Sequence, residues 1–261
     1  MRTSRPPSPF LRPLPERRAA LLLHAFALAL TLLSGSLLRA QDAALLEAEA
    51  ARGILTGNQG VQWTVTVTGS RDARFLATSQ GGRIFAEVLE PEESVGSRYL
   101  AEAKGDMWFW KPGVSRPVSI SRRQRLTGDA AIGDIASTSF VEGYRVTGQE
   151  PTELNGEKAT IYTMEATGIS DTYAKIRYWV VAPGNLGKKA EFYARSGNLV
   201  RTSTMEYGNS VNGRPFLSRM VIQDGSRTLT LTFSKVQLGS FPASMFTREN
   251  LGGPRSKGPR R

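Results

Sequence analysis

Val61-Gln62-Trp63-Thr64-Val65-Thr66-Val67-Thr68 alternates apolar and polar residues without a break. At a period of two, Val61, Trp63, Val65 and Val67 share one face of a strand, and Gln62, Thr64, Thr66 and Thr68 share the other. Leu229-Thr230-Leu231-Thr232-Phe233-Ser234 repeats the pattern far along the chain. Between these two stretches, turn residues separate further strand candidates at 73–79, 83–90, 97–104, 106–111, 158–166, 173–182, 188–195, 198–206 and 215–223. Gly81-Gly82 and Ser196-Gly197-Asn198 predict hairpin turns, and Asn155-Gly156 is the strongest such signal because both residues accept positive φ. Short spacing between strands predicts an antiparallel meander, which needs no crossover helices.

Two of these strands are apolar on both faces. In Asp106-Met107-Trp108-Phe109-Trp110-Lys111, Met107 and Phe109 oppose Trp108 and Trp110; in 173–181, Ile176, Tyr178 and Val180 oppose Trp179 and Val181. A sheet buried on both sides needs a cover on one face and a core or cavity on the other. Upstream, Asp42 to Gly53 has an N-cap aspartate, strong helix formers and a stop glycine, and predicts a short helix with Leu45 and Leu46 inward. The fold class expected is mainly β: a strongly curved antiparallel sheet, or half-open barrel, with an N-terminal helix. The stretch 112–146 reads as an irregular insertion, with a short helix or loop acting as a lid.

Charge is concentrated at the ends. The chain has 34 Lys and Arg against 23 Asp and Glu. Residues 1–40 hold six bases and one acid, and 252–261 hold four bases and none, which leaves 34−6−4 = 24 bases against 23−1 = 22 acids for 41–251. A nearly neutral body argues against nucleic acid as a partner. The leader is Pro- and Arg-rich to Arg18, apolar from Ala19 to Leu33, and ends in Leu38-Arg39-Ala40. That order predicts a secretory signal peptide over 1–40, with an uncleaved anchor as the alternative, and hence a periplasmic product. A folded domain over 41–251 and a disordered basic tail over 252–261 complete the expected organisation. With no cysteine and one histidine, His24 in the leader, the body has no thiolate or multi-histidine metal site and no Ser–His–Asp catalysis. Neither an enzyme nor a cofactor or metal is expected.

The order Gly105-Asp106-Met107-Trp108-Phe109-Trp110-Lys111-Pro112-Gly113, then Arg116 to Ser121, then Arg123 to Asp134, resembles the signature of the LolA-like family of outer-membrane lipoprotein-sorting proteins. Arg52-Gly53, Tyr178-Trp179-Val180 and Ser196 to Val200 agree with it in order. The resemblance covers roughly 42–250. Ile132-Gly133-Asp134-Ile135 lacks the aromatic residue that the family places after the aspartate. The resemblance implies a half-open barrel, lidded by helices, whose concave apolar face receives acyl chains of lipoproteins or phospholipid. An inner-membrane donor, an outer-membrane acceptor and a monomeric state go with that reading.

Candidate pocket residues are Trp63, Val65, Met107, Phe109, Tyr178 and Val180, although alternation alone does not distinguish a cavity wall from a core. Arg116, Arg122, Arg123 and Arg125 are either a solvated loop or a contact for a lipid headgroup or an acidic partner. The alternative function is an adaptor of an envelope complex that uses the same curved sheet to hold a polypeptide.

Overall fold

The computed structural model describes residues 43–54, 58–69, 72–102, 106–121, 139–168 and 171–252. The expected leader 1–40, Arg122, Arg123, Arg125, most of the expected lid and the tail beyond Gly252 lie outside the described residues. The sheet and its covers belong to the compact unit that begins at Ala44.

The fold is mainly β, with one open antiparallel sheet in the order β6-β5-β4-β3-β2-β1-β15-β14-β11-β10-β9-β8-β7. It consists of two meanders. The first runs β1 (Gly60–Thr68), β2 (Ala73–Gln80), β3 (Arg83–Glu90), β4 (Arg98–Ala101), β5 (Met107–Trp110) and β6 (Val118–Ser119). The second runs β7 (Tyr144–Leu154), β8 (Glu157–Ala166), β9 (Lys175–Val181), β10 (Leu186–Tyr193), β11 (Leu199–Glu206), β14 (Arg219–Asp224) and β15 (Arg227–Gly239). A small hairpin, β12 (Asn209–Val211) and β13 (Arg214–Phe216), is inserted before β14.

The two alternating stretches that open and nearly close the body zip the meanders together. Val65 lies opposite Phe233 and Val67 opposite Leu231, and a bulge interrupts the pairing between Gln62 and Thr64. The edges, β6 and β7, do not meet, so the curved sheet stays half-open. Local turn chemistry fixes the hairpins: Asn155 and Gly156 take φ of 53° and 84°, and Gly81 and Gly82 take 61° and 72°.

Helix α1 (43–51) lies on the inner face and stops at Gly53, whose φ is +90°. Its buried positions are Leu45, Ala48, Glu49, Ala51 and Arg52. Leu46 does not face inward as expected but is 46% exposed. One residue step turns a helix by about 100°, so adjacent leucines do not both face one core.

The outer face of the first meander carries a C-terminal strap. A 3₁₀ turn (Ala243–Phe246) and the single-turn α2 (Arg248–Leu251) place Phe241, Met245, Phe246 and Leu251 against Phe85, Leu100, Trp108 and Trp110. Trp108 and Trp110 therefore pack outward while Met107 and Phe109 face the main core. Gln80 clamps the strap at both groups of one residue, donating to the Phe241 carbonyl at 3.1 Å and accepting from the Phe241 N–H at 3.0 Å. Gly60 lies beneath this crossing; a Cβ there would sit 2.5 Å from the Phe241 ring. Among the described residues, no helix is long and apolar enough to cross a membrane.

Candidate functional site

Register places one side chain from every second position on the inner face, and the covering elements divide that face in two. Over β8 to β11, α1 and the segment at Phe140 close it. Phe140 meets Tyr178 edge-on at 5.1 Å and Phe192 at 5.4 Å, and Tyr173 lies 4.8 Å from Phe192. The hairpin β12–β13 extends the cover: Phe216 sits 5.5 Å from Trp63, and the Leu217 N–H donates to the Ala51 carbonyl at 2.9 Å.

This closed half is locked by buried charge. Arg52 pairs with Glu49 at 2.5 Å, one helical turn away, and both side chains are shielded from water. The other Glu49 oxygen accepts the Phe140 N–H at 2.8 Å, and the Arg52 guanidinium stacks 3.6 Å from the Phe140 ring centre. Burial, the largest single influence, works against the charged form of Arg52, yet Glu49 together with Tyr178 and Tyr207 holds the guanidinium above its ordinary pKa. The Tyr207 hydroxyl donates to the Gly187 carbonyl at 2.7 Å. Burial, then the neighbouring Tyr207, pushes the Tyr178 hydroxyl well above its ordinary pKa, so it stays neutral. Gly187 makes room for Tyr178: a Cβ there would overlap the hydroxyl, at 1.7 Å.

Across β1 the same face is different. Phe75, Tyr99 and Phe109 form a line on β2, β4 and β5, with ring centres 6.2 and 4.9 Å apart, and all three are only half-buried. Val118 on the edge strand lies opposite Phe109 and is 50% exposed. Ala73 and Ala86 add small apolar surface beside them. This is the candidate site: an apolar, aromatic strip on the concave side, adjoining an edge where the sheet does not close.

All six sequence-derived pocket residues belong to one apolar cluster on the inner face. Val65, opposite Phe75, and Met107 and Phe109 border the open strip. Trp63, Tyr178 and Val180 are sealed in the closed half. Arg116 is exposed in the β5–β6 turn. Sequence reasoning did not single out Phe75, Tyr99 or Val118. On their own faces Phe75 lies between Ala73 and Ala77 and Tyr99 between Ser97 and Ala101, and only cross-strand register lines up the rings with Val118. It also passed over Glu49 and Arg52, whose i,i+3 spacing looks the same on a solvated helix face. Among the described residues, no group of three or more His, Asp or Glu could hold a metal ion.

A family model described as "Uncharacterized protein" matches residues 81–252, about two thirds of the chain. No curated protein matches the sequence. The chain is similar to the crystal structure of a LolA superfamily protein from Nitrosomonas europaea, with 27% identity, a TM-score of 0.65, and coverage of 78% of this chain and 96% of that one. It is also similar to a putative outer-membrane lipoprotein-sorting protein domain from Vibrio parahaemolyticus, with 18% identity, a TM-score of 0.63, and coverage of 79% and 96%. The second likeness is one of fold.

Proposed function

This chain belongs to the LolA-like family, and from that premise we propose that it is a periplasmic carrier that binds acyl chains of lipoproteins or phospholipid along the strip formed by Phe75, Tyr99, Phe109 and Val118. The observation that carries the reading is the contrast within one face: Phe140, Tyr173, Tyr178 and Phe192 in the half that α1 covers are sealed, while the strip beside the open edge keeps its rings half-exposed. Contiguous exposed apolar surface at a concavity is a binding feature. Each acyl CH₂ moved from water onto such a surface is stabilised by about 0.8 kcal/mol, so a few methylenes give useful affinity and leave cargo releasable.

The action is physical transfer, with no bond made or broken. Val65 and Met107 form the floor beneath the strip, and Phe109 and Val118 form its rim at the sheet edge. Trp63, Tyr178 and Val180 act as the rigid wall that the floor rests on. Export through the leader 1–40 would put the carrier where lipoproteins travel between an inner-membrane donor and an outer-membrane acceptor.

Titration with a fluorescent long-chain fatty acid tests the proposal, with a triacylated lipopeptide as competitor. Saturable binding, displaced by the lipopeptide and weakened by Phe109→Ala, is the expected result. The absence of saturable binding, or binding that Phe109→Ala and Tyr99→Ala leave unchanged, overturns it. Capture of an unlipidated peptide with equal affinity would instead favour an adaptor.

A further inference from the structure

We infer that the open strip is a track for a single linear hydrocarbon chain of about twelve carbons, and that Ala86 sets its length limit. The inference rests on the reading of the strip as an acyl site and narrows it. Cross-strand register lines up Val118, Phe109, Tyr99 and Ala86 on β6, β5, β4 and β3, each opposite the next. Val118 is exposed and the other three are half-buried. The same row continues through Ala77 on β2 to Trp63 on β1, and both of these are buried. The apolar run is therefore open at the sheet edge and ends blind just past Ala86.

The track is one row wide. Same-face neighbours along a strand stand about 7 Å apart, so the next row on either side is a separate lane. On one flank Ile120, Met107, Ala101 and Ile84 are buried; on the other, Ser97 beside Tyr99 and Val88 beside Ala86 are buried. Phe75 reaches in from this second flank, with its ring 6.2 Å from that of Tyr99. The buried neighbours offer no apolar surface to a second chain laid beside the first. The ladder also gives the length. Four adjacent strands span three spacings, about 14 Å, which an extended hydrocarbon of about twelve carbons covers. The blind end carries Ala77 and Phe75, so it takes the methyl terminus, and the polar head leaves past β6 into water. Ala86 sets the limit because a methyl group is all that it presents between Tyr99 and Ala77. A larger aliphatic side chain at this position fills the inner end and removes one strand spacing, or about four carbons.

The test is a competition series on the full chain, in which saturated fatty acids of about 8 to about 16 carbons, each below its micelle concentration, displace a fluorescent fatty acid. Affinity is expected to rise about twofold per methylene up to about twelve carbons, since one side of the chain stays in water, and then to level off. In Ala86→Leu the break is expected at about eight carbons. Where urea unfolding shows that this variant does not fold, Ala86→Val takes its place, with a break at about ten carbons. A glyceride pair reads the width. Dioctanoylglycerol is expected to bind within about twofold of mono-octanoylglycerol, because its second chain buries nothing. Affinity that keeps rising to about 16 carbons, or a diglyceride bound more than about tenfold tighter than the monoglyceride, overturns the inference and leaves the acyl reading standing. A break that stays at about twelve carbons in the folded variant does the same. If none of the acids displaces the probe, the acyl reading itself falls and the inference falls with it.

Discussion

Under α1, Phe140, Tyr173 and Phe192 have almost no contact with water, while across β1 on the same face Phe75, Tyr99 and Phe109 remain half-exposed. The strands beneath the two groups are alike in composition and alternation, so intrinsic propensity does not separate them. The difference comes from what lies on top. One half receives a helix, a docked phenylalanine and the hairpin β12–β13, all tied down by Glu49, Arg52 and the Ala51 carbonyl. On the other half, the strand edge at β6 is only two residues long, and its Val118 stays exposed. Among the described residues, no element covers this part of the face as α1 covers the other.

The most severe way to break the contrast is within the closed half. Phe192→Ala removes a ring fully enclosed by Phe140 and Tyr173 and is expected to destabilise the fold by about 3–5 kcal/mol. Urea unfolding should show this loss, and acyl affinity measured on the folded fraction should be little changed. Glu49→Gln comes next. It removes the carboxylate charge that faces buried Arg52 and weakens the acceptor for the Phe140 N–H, at an expected cost of about 3 kcal/mol. Amide exchange should rise first in α1 and around Phe140. If exchange rises uniformly instead, the closed half is not a separate cooperative unit.

The open strip should answer in the opposite way. Phe109→Ala or Tyr99→Ala removes a ring that is only half-buried, so the stability cost should be about 1 kcal/mol. Fatty-acid affinity should fall roughly tenfold, equivalent to about 1.4 kcal/mol. A stability loss as large as that of Phe192→Ala with no change in affinity would show the strip to be ordinary core.

Much of this architecture is legible in the residues themselves. Val61 to Thr68 and Leu229 to Ser234 announce strands, and Asn155-Gly156 announces a hairpin, because alternation and positive-φ turns are local properties. That these two strands pair with each other is not local, since more than 150 residues separate them. The two-faced strand at 107–110 correctly signals covers on both sides, but it does not say that the outer cover is the strap at 241–251. β7 starts at the end of the stretch that reads as irregular; its Gln149, Glu150, Pro151 and Glu153 give no clean alternation because it is an edge strand. The candidate site is the least legible part. Half of the chosen wall residues, Trp63, Tyr178 and Val180, lie in the sealed half because alternation reports which face a residue is on and not what lies above that face.

The smallest expected effect concerns the outer side of the closed half, where no strap lies and charged side chains cover Trp179. Arg177 and Lys189 flank its ring at 5.1 and 4.3 Å, and Glu191 binds them together, with Lys189 at 2.8 Å, Arg177 at 3.6 Å and the Tyr193 hydroxyl donating at 2.7 Å. Burial would raise the pKa of Glu191, but hydrogen bonds from Lys189 and Tyr193, with Arg177 nearby, lower it below the ordinary carboxylate value. A group with a depressed folded-state pKa contributes stability above its unfolded pKa and loses it as pH falls through the folded value. Glu191→Gln should therefore cost about 0.5–1 kcal/mol near neutral pH. The two proteins should converge in stability once acid has protonated the carboxylate. Chemical denaturation across an acid-to-neutral series measures this directly. A gap that stays constant with pH would mean that the glutamate acts through packing over Trp179, and the outer cover would then resemble the strap in kind.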